Sequence, residues 1–296
     1  MAQVDEQYND ILEKILETGE WSENRTGTRT KAIFDEVLKV DLREGFPLLT
    51  SRRMPYKGEI IELEGFKNGM CSKSWYKENG CPFWNPFADR FKIPYANDPA
   101  TKAKMAAEDD LGPLGYAHGW RNFGGDYDKY KLGEKTGVDQ LANLVDSIRE
   151  KSDNRRLIVS AWDVTNNDRA ALPACHYSYT VHISPCGKYL DLKYSMRSWD
   201  VCLGWAIPKY ATLMHLLANE GGLTPRFLTL HGENCHVYED QIETAKEQLK
   251  RPIHDELPKF TLKTDQFTNI FDWTHKDYEI TGYKHSGVLK YPMMAV

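Results

Sequence analysis

Cysteine is scarce in this chain, with six residues (Cys71, Cys81, Cys175, Cys186, Cys202, Cys235) in 296. They are too few and too scattered for a disulfide scaffold. No CxxC pair occurs, which argues against a structural zinc site, and no metal is expected. At least one of these cysteines is free to serve as a nucleophile. An excess of basic charge is also missing: the net charge is -5 and the pI about 6.0. The whole-surface footprint of a nucleic-acid binder is therefore absent, and an anionic ligand must be met by a local arginine cluster. No run approaches the roughly 20 apolar residues of a membrane span, and the N-terminus lacks a basic region followed by an apolar stretch. The expected setting is cytoplasmic, away from membranes. GxGxxG, Walker and HExxH sequences are absent. His231-Gly232-Glu233 begins like a zinc deaminase signature, but no PCxxC follows it.

What is present is enough apolar material, 41% of the residues, to bury a sizeable core. The spacing of Ile11, Leu12, Ile15 and Leu16, closed by Gly19, predicts a helix over 5–18. A strand is expected at 31–41 and a helix carrying Glu62 at 58–67. Residues 70–135, rich in Trp, Pro, Gly and Asp, read as a long functional loop. Further helices are expected at 138–151, 210–218 and 239–250, and strands at 176–183, 188–194 and 226–230. Residues 157–162 read as a buried strand. Helices and strands mix without regular alternation and no linker or repeat interrupts them. The expectation is one α/β (α+β) domain over 1–296, not a doubly wound sheet.

Cys175, in LPACHYSY, stands at a strand start behind Pro173, where a side chain can face a cleft. A lone cysteine is commonly a small buried hydrophobe. Nearby cations favour the reactive thiolate. Arginines occur in three polar turns: Arg25 in NRTGT, Arg155-Arg156 after Asp153-Asn154, and Arg197 before Ser198. Any one reads most simply as solvated loop charge. Three of them beside a strand-start cysteine suggest a phosphomonoester site, because guanidinium forks match phosphate oxygens. His236 and Tyr238, two apart, share one strand face, as a pair for a sugar hydroxyl or as a buried polar pair. Glu62 lies among Ile60, Ile61 and Leu63, where burial would raise its pKa and suit proton transfer; the alternative is a surface glutamate on an amphipathic helix. Phe83, Trp84 and Phe87 offer a stacking wall for a flat ligand, or simply core.

Eight segments then occur in a recognisable order: NRTGTRT (24–30), FPLLTSRR (46–53), LGPLGYAHGWRNF (111–123), DNRRLIVSAWDV (153–164), LPACHYSYTVHI (172–183), RSWDVCLG (197–204), GENCHVYEDQ (232–241) and YEITGYKHSGVLKYPMMAV (278–296). Over nearly its whole length the chain resembles the thymidylate synthase family, which includes the phage pyrimidine hydroxymethylases. The resemblance implies a mixed sheet with surrounding helices, a homodimer, and 5,10-methylenetetrahydrofolate as co-substrate. It implies Cys175 as the nucleophile on carbon 6 of a pyrimidine nucleoside monophosphate. Arg25, Arg197 and Ser198 would hold the phosphate, with Arg155 and Arg156 reaching in from the partner subunit. His236 and Tyr238 would take the sugar 3′-hydroxyl. Glu62 would move protons, with Tyr116 and His176 lining the ring site. Asp200, Leu203, Gly204, Trp84 and Phe87 would meet the folate, and Val296 would close over it.

Four departures bear on base and product. The family reads LGLPFNIASYA where this chain has the shorter Leu203–Ala211, without the asparagine that reads the uracil edge. Met196 stands for the usual glutamine, as in the phage deoxycytidylate hydroxymethylases, and Thr180 replaces a strand glutamine. Gly115 looks inserted beside Tyr116, while His176 and the terminal MMAV are synthase-like. Lys209 or Trp205 is a candidate for the vacated base-reading role. The resulting expectation is a deoxyuridylate (dUMP) hydroxymethylase of the kind used for modified phage DNA. Thymidylate synthase is the runner-up, followed by a dCMP hydroxymethylase or methylase. A catalytically silent nucleotide-binding protein is the alternative of another class, and RNA binding is disfavoured by the acidic balance.

Overall fold

The computed structural model describes residues 4–24, 26–88, 99–152, 154–203 and 206–292. The chain opens with helix α1 (Val4–Thr18), which buries Ile11, Leu12 and Ile15 and ends where Gly19 donates back to the Ile15 carbonyl at 3.0 Å. Strands β1 (Glu20–Ser22) and β2 (Thr30–Asp41) follow. Helix α2 (Tyr56–Asn68) is stopped by Gly69 at φ 73°, a left-handed cap that glycine adopts without a Cβ penalty.

The stretch expected to be loop is instead broken into short helices, a correction to the reading of 70–135 as irregular. They are α3 (Lys73–Glu78), α4 (Pro99–Ala107), α5 (His118–Asn122) and α6 (Tyr127–Lys131). Each is too short for an amphipathic period to show in the sequence. Then come α7 (Gln140–Arg149), β3 (Ile158–Ser160), β4 (His176–Ile183), β5 (Tyr189–Asp200), α8 (Ile207–Glu220), β6 (Thr224–Tyr238), α9 (Ile242–Leu249), β7 (Lys259–Leu262) and β8 (Tyr278–Thr281).

Six strands form one mixed sheet in the order β1-β2-β6-β5-β4-β3, antiparallel except for the parallel pair β5 and β6. Strands β7 and β8 pair separately. Three expectations are corrected here. β5 runs to Asp200 and β6 to Tyr238, well past the ends expected at 194 and 230, because their C-terminal halves carry polar residues that hide the apolar alternation. β3 is an edge strand with Ile158 53% exposed, not a buried one. The helix expected at 239–250 begins as a 3-10 turn and is α-helical only from Ile242. A continuous apolar core joins α1, α2, α7 and α8 to the sheet. No helix of the described residues is long and apolar enough to cross a membrane.

Candidate active site

Sheet register assembles the site. Cys175 directly precedes β4, whose first residue His176 pairs with Met196 of β5. Farther along β5, Ser198 pairs with Asn234 and Asp200 with His236 of β6. The start of β4 and the ends of β5 and β6 thus lie side by side, and residues far apart in sequence converge on one edge of the molecule.

Arg197 holds the approach to Cys175. Its Nε donates to the Ala174 carbonyl at 2.8 Å, its Nη2 to the Pro173 carbonyl at 3.0 Å, and its backbone N–H to the Cys175 carbonyl at 2.9 Å. The Cys175 N–H donates to the Tyr116 hydroxyl. The cysteine itself is half-buried. Its backbone is therefore pinned from both sides while its side chain keeps access to the surface.

Behind it stands a stack of rings. His176 lies 4.0 Å from Tyr116 and Tyr116 lies 4.7 Å from Phe66, both in parallel arrangement. The Tyr210 hydroxyl, from α8, meets His176 Nδ1 at 2.8 Å. Burial, with the Lys209 ammonium nearby, holds His176 well below the ordinary histidine pKa, so its imidazole is neutral at neutral pH. Trp84 and Phe87 sit against this stack, buried at 4% exposure each, while Phe83 stays half-exposed. Trp84 and Phe87 thus join the apolar core, with Trp84 also packed beside Tyr116. The indole N–H of Trp84 is buried with no hydrogen-bond partner among the described residues, a donor that a bound polar group would satisfy.

Glu62 is 7% exposed, so the surface-glutamate reading is excluded. Helix α2 is buried on nearly every face, because it passes between α5 and α8. Burial alone was the expected influence on Glu62, but the structure adds a cation. The Lys209 ammonium, 3% exposed, forms ion pairs with Glu62 and, at 3.0 Å, with Glu59. It also lies 5.1 Å from the Phe66 ring centroid.

Asp200 accepts from the N–H groups of Cys202 (2.9 Å) and Leu203 (3.1 Å) and from Gln241 Nε2 (3.1 Å). Burial raises its pKa, against the pull of His236 and these bonds. It shapes the turn that presents Leu203. His236 is lowered by burial, and its Nδ1 meets Asn234 Oδ1 at 2.8 Å. Tyr238 follows on the same strand, its ring centroid 5.4 Å from that of His236. Arg155 and Arg156 are exposed in the turn before β3, and neither guanidinium meets a carboxylate among the described residues. Near the chain's end, Tyr291 lies beneath Arg52 at 4.9 Å, and Arg52 donates to the Cys202 carbonyl, which places the tail beside the Asp200–Leu203 turn. Arg25, Gly204, Trp205 and Val296 lie outside the described residues.

The sequence reading passed over Phe66 and Glu59. Glu59 and Glu62, three apart on one helix and flanking the apolar pair Ile60-Ile61, were the available signal.

The thymidylate synthase family profile matches residues 6–295 of this chain. A probable thymidylate synthase of Escherichia phage T5 is 34% identical over 302 residues, spanning 97% of this chain and 99% of that protein. With its mixed sheet, its strand-start cysteine and this likeness over nearly its full length, the chain belongs to the thymidylate synthase family of one-carbon transferases.

Proposed function

We propose that this enzyme transfers a one-carbon unit from 5,10-methylenetetrahydrofolate to carbon 5 of dUMP and releases 5-hydroxymethyl-dUMP. The observation that carries the reading is the state of the base-reading segment. Lys209, an ammonium with donors only, is buried beside the ring stack, and Leu203–Ala211 contains neither asparagine nor aspartate. A donor suits the carbonyl at carbon 4 of uracil and opposes the amino group of cytosine. Met196, buried beside His176, supports the hydroxymethyl outcome by its likeness to the phage hydroxymethylases. A second reading, thymidylate synthesis with dihydrofolate as by-product, is favoured by the name of the phage T5 relative.

The roles are those the family resemblance implies, and the neighbourhood of Cys175, Arg197, His176 and Tyr116 supports them. The Cys175 thiolate adds to carbon 6, and the displaced π electrons make carbon 5 nucleophilic, which divides one difficult step into easier ones. Arg25, Arg197 and Ser198 bind the phosphate, and His236 and Tyr238 take the 3′-hydroxyl. Tyr116 and His176 line the ring, the latter as a neutral imidazole, and Glu62 exchanges protons. The folate supplies a carbon at the oxidation level of formaldehyde and leaves as tetrahydrofolate; carbon 5 gives up its proton, water supplies the hydroxyl oxygen to the carbon left on the ring, and departure of the Cys175 thiolate restores the ring double bond. Trp84 and Phe87 would hold it with Asp200, Leu203, Gly204 and Val296; the unpartnered Trp84 N–H fits such a guest. The enzyme works as a single catalytic domain in a homodimer. Trp21 and Phe34, exposed on β1 and β2, supply apolar surface for that contact, and Arg155 and Arg156 complete the neighbour's phosphate pocket.

Substitution of Cys175 by alanine tests the reading. Product formation should vanish while dUMP affinity, measured by calorimetry, persists. Retained turnover would overturn the assignment of the nucleophile, and wild-type protein that binds dUMP without turnover would mark a silent binder.

A further inference from the structure

Resting on that reading of Glu62, the geometry points to a second proton-handling carboxyl group: Glu59, Lys209 and Glu62 form one buried unit in which Lys209 positions Glu62 and Glu59 stores the unit's exchangeable proton. The unit is unusual on three counts. Lys209 sits in the first turn of α8, where the helix dipole disfavours a cation, so its position needs the two carboxylates of α2. All three side chains are almost fully buried, where two carboxylates and one ammonium leave a net negative charge that a low-dielectric site resists. And Glu59 Oε2, 3.0 Å from the ammonium, is buried with no well-aligned hydrogen bond among the described residues, so its negative charge is compensated less completely than that of a hydrogen-bonded carboxylate.

Among the described residues, the other titratable groups packed against the unit are uncharged. From β4, His176 is neutral. Tyr210 of α8, Tyr194 of β5, Tyr76 of α3 and Tyr116 keep their protons, because burial raises each phenol, and burial likewise raises the Cys81 thiol. The two carboxyl groups and Lys209 therefore settle the charge among themselves. Burial raises Glu59 to about 7, with the Lys209 charge opposing and the Glu62 charge assisting. Burial depresses Lys209, but the two glutamates more than restore it, so it stays an ammonium.

With the proton on Glu59 the unit is neutral overall, with one carboxylic acid and one carboxylate. This is the working state: Glu62 accepts a proton from the substrate while Lys209 fixes its orientation. Loss of the stored proton leaves an uncompensated negative charge at the ring site. Turnover should therefore fall as pH rises through about 7. Glutamine mimics the protonated acid permanently, so Glu59→Gln should abolish that decline. Lys209→Gln removes the cation that lowers Glu59, moves the titration upward and cuts kcat by at least about tenfold through misplacement of Glu62.

The test pairs two readouts. Infrared difference spectroscopy of the ligand-free protein follows the carboxylic-acid C=O stretch with pH, and steady-state assays give kcat against pH. The proposal expects a carboxyl band lost near neutrality in wild type, absent in Glu59→Gln and shifted upward in Lys209→Gln, with the alkaline decline of kcat gone in Glu59→Gln. Should Glu59→Gln fail to fold, the upward shift in Lys209→Gln carries the test. A wild-type protein without such a band, or a band that survives in Glu59→Gln, overturns the proposal whatever the activity. A band that behaves as expected with superimposable kcat profiles reduces the unit to a structural role and also overturns it. Expected bands with no turnover of any pyrimidine nucleotide would overturn instead the functional reading on which it rests.

Discussion

The Nε of Arg197 donates to the carbonyl of Ala174 at 2.8 Å, one residue before Cys175. A side chain expected to hold phosphate therefore also fixes the backbone beside the proposed nucleophile, Cys175. Arg197→Lys keeps the charge but loses the two-point grip on Pro173 and Ala174. Both KM for dUMP should rise and kcat should fall, with kcat/KM lower by about 100-fold. Steady-state kinetics checks this, and a rise in KM with unchanged kcat would assign Arg197 to phosphate alone.

Arg155 and Arg156 stand exposed and without carboxylate partners among the described residues, available to a neighbouring subunit. Arg156→Ala and Cys175→Ala proteins should each be inactive. Mixed, unfolded and refolded together, they should regain about a quarter of wild-type activity, since half of the random dimers are mixed and each holds one intact site. No recovery would place Arg156 in its own subunit's pocket or outside the site.

These arginines show how much of the site the sequence disclosed. The helices with dense apolar spacing, α1, α2 and α8, were legible, as was β4 behind Pro173. The far halves of β5 and β6 were not, because the polar Arg197, Ser198, Asn234 and His236 there break the period-two pattern. Cys175, His176 and Tyr116 were found through motifs. The Glu59–Lys209–Glu62 contact was hidden because it joins helices about 150 residues apart in sequence, a distance that no local pattern encodes.

Tyr210 meets His176 Nδ1 at 2.8 Å and stacks on Tyr194 at 4.1 Å. Tyr210→Phe keeps the stack and removes the hydroxyl. Stability should fall by about 1–2 kcal/mol, since a buried ring nitrogen loses its partner. Denaturant unfolding measures this, and kcat should drop as His176 loses its fixed orientation. Unchanged stability would mean that the bond contributes nothing.

Asp5 is buried at the start of α1, and its carboxylate accepts from the backbone N–H and hydroxyl groups of both Thr50 and Ser51, at 2.7–2.9 Å for the four shortest contacts. These bonds fix the segment that carries Arg52. Asp5→Ala should cost about 3 kcal/mol by leaving buried donors unsatisfied. Thermal unfolding would show it as a lower Tm, and a change within error would contradict the assignment.

Burial beside the stacked rings of Phe260 and Phe46 lowers His215 to about 4 from the ordinary 6.5. Between those values the unfolded chain binds the proton and the folded one does not. The stability linked to His215 is thus complete above pH 6.5 and is lost as pH falls toward about 4. The full effect is about 3 kcal/mol at most. Denaturation of His215→Gln across this range should show a shallower acid dependence than wild type, and parallel curves would rule His215 out as a contributor.

The reaction itself is tested most directly by one incubation of purified protein with 5,10-methylenetetrahydrofolate and equal amounts of dUMP and dCMP. Mass spectrometry identifies the nucleotide products, and absorbance follows dihydrofolate. The account predicts 5-hydroxymethyl-dUMP, no dihydrofolate and untouched dCMP. Formation of 5-methyl-dUMP as the only product, with dihydrofolate in step, would contradict the hydroxymethylase assignment and make the enzyme a thymidylate synthase with an altered base-reading segment.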